Sequence, residues 1–153
     1  ASNSGGAVLR KYFTDAEIGR LSSRLTPDES TGLDYYPLAA PGERFPIRDP
    51  EQRPRLTPRP AEDSVFLQGI LEGIAQIEAD GYQRLNALGA PTISRVTTIG
   101  GGASNPAWTR IRSRLLGHSI EIADHQEAAY GSALIALRAG VMDRQASSTQ
   151  LMQ

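Results

Sequence analysis

The sequence predicts an α/β fold whose strands run at least partly parallel, and three observations carry that prediction. After residue 60 the apolar periodicities fall in the order α-β-α-β-α, the alternation of a layered α/β domain. Leu67, Ile70, Leu71, Ile74 and Ile77 recur at helical spacing and define the longest helix of the chain. Between two short apolar runs lies a glycine-rich strand-to-helix turn, TTIGGGASNPAW, from Thr97 to Trp108.

Taken in order, Ala7 to Phe13 and Asp15 to Leu25 read as two short helices, with Thr14 as N-cap of the second. Leu33 to Leu38, LDYYPL, reads as extended. From Pro37 to Pro60 the composition changes, and PLAAPGERFPIRDPEQRPRLTPRP holds most of the prolines and a cluster of arginines. Proline removes backbone donors and biases its predecessor away from helix, so this segment is an irregular crossing or a linker. Phe45 and Ile47 are candidate anchors, which favours an ordered loop, and loops of this length in compact domains usually serve a function.

Pro60 is predicted to open the longest helix, with Glu62 and Asp63 in its first turn, where the helix dipole favours acids. Leu85 and Leu88 continue that helix to a stop at Gly89. Gly69 and Gly73, four apart, predict the close approach of another backbone. A strand over Ile93 to Ile99, a helix over Pro106 to Leu116, a strand over Ser119 to Ala123 and a helix from Glu127 to Ala139 follow. The polar tail VMDRQASSTQLMQ reads as frayed, and no internal repeat is present.

Composition narrows the function classes. At 153 residues the chain fits one domain with a real hydrophobic core, and 39% apolar with 22% charged residues is the balance of an ordinary folded protein. A net charge of −1 gives no overall pull toward nucleic acid or an anionic membrane. Lys11 is the only lysine, and the absence of cysteine excludes disulfides, thiolate nucleophiles and cysteine-bound zinc. No apolar run approaches the roughly 18 residues of a membrane span, and no basic-then-apolar leader opens the chain. A cytoplasmic location is the expectation, or a plastid one if upstream sequence carries a transit peptide. The start ASNSGG, without methionine, fits a processed product or a piece of a longer chain.

The glycine triplet is where chemistry concentrates. A phosphate-binding P-loop needs a lysine directly after its last glycine, and Lys11 is far from any such position. In the dinucleotide fingerprint G-x-G-x-x-G, Gly100 and Gly102 fit and Glu121 lies about 20 residues on, but the third glycine position holds Asn105. Two readings stay open. One is a plain turn with Ser104 or Asn105 as N-cap and Pro106 at the first helical position. The other is a ligand site, because three glycines leave bare N–H groups at a helix N-terminus, which suits phosphate or a nucleotide ribose. Trp108 adds a flat surface about one turn into that helix, or a core residue. His118 and His125 are isolated, the arginines of residues 37–60 read as solvated or inter-domain residues, with phosphate contact as the alternative, and Glu127 complements a helix dipole.

IGGGASNPAW resembles the adenosine motif of the FGGY carbohydrate kinases, members of the actin and hexokinase superfamily. GERFPIRDP resembles the family's G-x-R-x-P-x-x-x-P loop, FLQGILEGIAQ its long helix, and EAAYGSALIALRAG its closing helix. Together these span most of the chain after residue 33 in the family's order. The opening SNSGGAVLRKYF is similar to the start of the second domain in the ribulokinase-like branch, which points to a D-ribulose or D-xylulose kinase.

The resemblance implies an actin/hexokinase-like, ribonuclease H-like ATPase domain forming the C-terminal half of a two-domain sugar kinase. Residues 1–140 would be that nucleotide-binding domain and residues 141–153 its tail. ATP with Mg2+ is the implied cofactor and a pentulose the implied substrate, held mainly by an N-terminal domain outside this chain. That domain would also hold the catalytic aspartate and the DxGT phosphate loop, so no catalytic or metal-binding residue is assigned here and the chain alone is expected to transfer no phosphate. Gly101 and Gly102 would admit the phosphates and ribose, Asn105 would hydrogen-bond the nucleotide, and Trp108 would wall the adenine, with Gly100, Ala103 and Ser104 adjoining. The rival functions are a non-catalytic kinase-like module and a nicotinamide-binding domain; the oligomeric state is left open.

Overall fold

The structure, a computed structural model, describes residues 1–125 and 129–137. Its scaffold is α3 (Asp63–Ala87), a 25-residue helix against which the helices before it and the helix of residues 106–116 pack. The others are α1 (Gly6–Leu9), α2 (Asp15–Ser22), α4 (Pro106–Leu116), and a parallel pair of short strands, β1 (Val96–Thr98) and β2 (Ile120–Ile122). Val96 lies beside Ile120 and Thr98 beside Ile122. Residues 129–137 are also helical.

The core follows from the apolar face of α3. Phe66, Leu67, Ile70, Leu71 and Ala75 meet Val8, Phe13, Leu21, Tyr35 and Ile111 in one buried cluster. Phe66 is its hub: Tyr12 and Tyr35 approach its ring edge-to-face at 5.2 and 5.9 Å, and the Arg59 guanidinium lies over it at 4.1 Å. Gly69 and Gly73 are the groove in which the extended LDYYPL segment crosses α3. A Cβ at Gly73 would stand 2.8 Å from the Tyr35 carbonyl oxygen and 2.7 Å from Pro37 Cδ, so the close backbone approach predicted from their spacing is present.

Several element ends lie inside their predicted positions, among them the end of α2, at Ser22 and not Leu25. The first helix ends at Leu9 and passes through turns to Thr14, which is extended (φ −72°, ψ 161°) and caps α2. That cap is a full capping box: Thr14 Oγ1 accepts from the Glu17 N–H and the Glu17 carboxylate accepts from the Thr14 N–H. The long helix starts at Asp63 and not at Pro60, with Glu62 extended as its N-cap. The Tyr35 hydroxyl, donating to the Pro58 carbonyl, and Arg59 over Phe66 hold residues 58–59 across the helix start. The strands are three residues each, the length over which the two runs pair.

The proline- and arginine-rich segment is an ordered loop. Tyr36 and Arg55 exchange backbone hydrogen bonds at 2.8 and 3.0 Å, and Glu43 and Asp49 do so at 2.7 and 3.0 Å. Phe45 is an anchor, seated against Gly81 of α3, whereas Ile47 is 43% exposed and anchors nothing. Glu43 is buried and accepts from Ser2 Oγ, Asn3 N and Arg44 N at 2.6, 2.7 and 2.8 Å, tying the N-terminal residues to the loop. Glu127 and the tail from Val141 lie outside the described residues, as does the end of the helix expected to reach Ala139.

Candidate functional site

The βαβ unit β1–turn–α4–β2 places the glycine triplet at the carboxyl end of β1, the edge at which parallel sheets with helical crossovers hold ligands. Gly101–Ser104 form a single 3-10 turn, closed by Ala103 N–H to Gly100 O (2.9 Å) and Asn105 N–H to Gly102 O (3.1 Å). Asn105, not Ser104, caps α4: its Oδ1 accepts from Trp108 N at 3.2 Å, and Pro106 occupies the first helical position. Ser104 instead donates its hydroxyl to Gly101 O at 3.0 Å.

Each glycine of the triplet stands there for a different reason. Gly100 has φ +84°, a conformation that side chains rarely adopt. Gly102 makes room for Trp108, whose Cδ1 and Nε1 would lie 3.2 Å from an added Cβ. Gly101 has neither constraint: its φ is ordinary and no atom of the described residues would lie within 4 Å of a Cβ. Internal packing therefore accounts for two of the three glycines and leaves Gly101 facing open space.

That space is a cavity of about 860 Å³, within the size range of small-molecule and cofactor sites. One side is the turn and the start of α4, with Gly101, Gly102, Ser104, Asn105 and Trp108. A second side, which sequence reasoning missed, comes from the N-terminal segment: Gly6 and Leu9 of α1, and Ile18, Gly19 and Ser22 of α2. Leu71 and Ile74 of α3 complete it. The one available signal was Gly19, a glycine inside a helical pattern with no turn nearby. Gly100 and Ala103 do not line the cavity, and Ala103 is buried beneath the turn.

The two sides are fastened together. Asn105 Nδ2 donates to Ser22 Oγ at 2.8 Å across 83 residues of sequence, so the residue that caps α4 also fixes α2 against the turn. Trp108 is half-buried, packed against the core while lining the cavity, with the Arg112 guanidinium 5.5 Å over its ring. Arg112 is held in turn by Glu78 of α3 through two bonds of 2.8 and 2.6 Å. Among the described residues, the charged ones on the lining are Arg10 and Asp15, which pair with each other at 3.3 Å.

The remaining candidates fall elsewhere. Glu121, the acid of the dinucleotide template, pairs with Arg95 at 3.7 Å and does not reach the cavity. His125 stacks on Tyr130, and His118 offers its backbone carbonyl to Ser113 Oγ. Among the described residues no group of three or more His, Asp or Glu converges as a metal site, and no helix is long and apolar enough to cross a membrane.

Residues 11–140 match the model of the FGGY family of carbohydrate kinases, C-terminal domain. Members of this family use ATP to phosphorylate sugars, and helices around a parallel strand pair do not conflict with their C-terminal domain. The match covers well over half the chain and contains the glycine turn, the proline-rich loop and α3. The chain belongs to the FGGY family of carbohydrate kinases, as a C-terminal domain of that family.

Proposed function

We propose that this chain supplies the adenine-nucleotide side of the cleft in a cytoplasmic, ATP-dependent sugar kinase whose substrate is a pentulose such as D-ribulose or D-xylulose. The observation that supports the nucleotide site most directly is Gly101, a glycine with ordinary backbone angles and no neighbour, on the wall of an 860 Å³ cavity at the end of β1. Bare backbone at that point lets a ligand approach more closely than any side chain would allow.

The lining fits the nucleoside portion of ATP. Trp108, Leu71 and Ile74 offer apolar surface for the base, while Ser104, Ser22 and the unspent capacity of the Asn105 amide suit ribose and base polar atoms. The bound nucleotide supplies the phosphoryl group, and its Mg2+ offsets charge on the transferring oxygens. The described residues give that ion no ligand set, so in this proposal it is carried by the nucleotide and the partner domain. The work of this chain is then positioning: it holds one reactant while the sugar and the base that deprotonates it come from the N-terminal domain. The pentulose preference rests on the similarity of SNSGGAVLRKYF to the ribulokinase-like branch alone.

The test is calorimetric titration of the full-length enzyme and its Gly101→Ala variant with ATP-Mg, alongside kinetics over D-ribulose, D-xylulose, ribitol and glycerol. The expected result is wild-type binding, roughly tenfold weaker binding in the variant at unchanged thermal stability, and highest kcat/KM on a pentulose. Wild-type affinity in Gly101→Ala would return the triplet to a plain turn. Binding of NAD(H) in place of ATP, or of neither, would replace the kinase reading by a dinucleotide-binding or non-catalytic one.

A further inference from the structure

Three glycines from three separate elements line the cavity with ordinary backbone angles and empty space where a Cβ would stand: Gly6 of α1, Gly19 of α2 and Gly101 of the turn. The other glycines on the lining have internal reasons, positive φ at Gly5 (145°) and Trp108 against Gly102. Gly19 is the most telling of the three. It sits inside the eight-residue helix Asp15–Ser22, where glycine is the least favourable residue except proline, and among the described residues alanine in its place would touch no atom within 4 Å. A helix that forgoes alanine at a site facing a cavity trades helix stability for open space.

The surroundings say what the space takes. Ile18, Leu71, Ile74 and Trp108 give the lining large apolar side chains, and Arg10 and Asp15, opposite in charge and both exposed, pair with each other at 3.3 Å. The apolar part of this lining, from α2 and α3, suits a flat, weakly polar group. Through the Asn105–Ser22 hydrogen bond, α2 is also held rigidly to the turn that carries Gly101. We infer that α2 is a wall of the nucleoside pocket and that the purine ring of the nucleotide lies against the bare backbone of Gly19, which makes Gly19 a binding residue that sets the room available to the base. The inference rests on the reading of this cavity as the adenine-nucleotide site.

The experiment uses the full-length enzyme with Gly19→Ala and Gly19→Ser, titrated calorimetrically with adenosine and with ADP, and melted without ligand. Gly19→Ala is expected to melt above wild type, because alanine is the better helix former, while binding adenosine and ADP about tenfold more weakly and by the same factor. Gly19→Ser should weaken both ligands at least as much. Three results overturn the inference: wild-type affinity in both variants, a loss for ADP without a loss for adenosine, or a lower unliganded melting temperature in Gly19→Ala. If wild type binds neither adenosine nor ADP, the nucleotide reading of the cavity fails first, and that outcome is distinct from a wild type that binds and a variant that binds equally well.

Discussion

Replacing Glu43 by glutamine and by alanine separates two things this carboxylate does, filling a hydrogen-bonding position and carrying a charge. Its two oxygens have different partners. Oε1 accepts from the backbone N–H groups of Asn3 and Arg44 (2.7 and 2.8 Å), and Oε2 accepts from the hydroxyls of Ser2 and Tyr36 (2.6 and 3.3 Å). In Glu43→Gln the amide oxygen can take the Oε1 position and keep both backbone donors. Its NH2 group then meets two hydroxyls, which can turn and accept. The loss is the charge assistance, about 1 kcal/mol. In Glu43→Ala every one of those donors loses its acceptor in a site where Glu43 is 3% exposed, and the expected cost is about 3 kcal/mol.

The charge can be read separately through pH. Burial opposes ionisation of Glu43, but hydrogen bonds from Ser2, Asn3, Arg44 and Phe45 outweigh it and hold the carboxyl below its ordinary value of 4.5. A group with a depressed folded pKa stabilises the fold fully above its unfolded pKa, and that stabilisation is lost as pH falls through the folded value. Urea unfolding from pH 7 to pH 3 should therefore show the gap between wild type and Glu43→Gln narrowing below about pH 4.5 as the charge is neutralised. Equal losses for glutamine and alanine at pH 7, or a gap that does not change with pH, would refute the division of labour between the oxygens. Because Ser2 to Ser4 lead directly into Gly5 and Gly6 on the cavity wall, the alanine variant should also bind nucleotide more weakly.

Three further outcomes follow from the packing. Gly73→Ala should cost about 1–3 kcal/mol in urea unfolding, because its Cβ meets the Tyr35 carbonyl and the Pro37 ring, both fixed; an unchanged midpoint would mean that residues 33–38 cross α3 more loosely. Arg112→Ala leaves Glu78 without its bidentate partner and Trp108 without its guanidinium neighbour, so a loss of about 3 kcal/mol is expected, with Glu78→Gln recovering part of it. Thr14→Ala removes the capping box of α2 and should cost about 1 kcal/mol, with the loss seen as faster amide exchange at Glu17.

What the sequence made legible was chemistry confined to a few neighbouring residues. Thr14 with Glu17, Asn105 with Pro106, and the stop at Gly89 (φ +92°) could all be read directly, since caps depend on residues three or four apart. The face of α3 was legible from its period, and the crossing at Gly69 and Gly73 from their spacing. What stayed hidden was polar pairing across long separations. Glu43 reaches Asn3 over 40 residues, Glu72 reaches Thr31 over 41, and Asn105 reaches Ser22 over 83, and such pairs leave no periodic trace. Helix ends predicted from local signals overran wherever tertiary bonds claimed the chain first, as Tyr35 and Arg59 do ahead of α3.

The same division explains why half of the candidate site was missed. The glycine turn announces itself because its three special residues are consecutive, while the α1–α2 side is assembled from single residues that look ordinary in sequence. Gly19 was visible only as a small local inconsistency, a glycine in a helix that had no need of one. Locally costly residues mark either a structural constraint or a ligand, and coordinates distinguish the two by asking what a Cβ would touch. At Gly102 the answer is Trp108, and the cost is structural. At Gly19 and Gly101 no atom of the described residues answers, and both positions open onto the same cavity. The triplet thus divides into two scaffold glycines and one that faces the cavity, on whose far side lies a helix that no motif had singled out.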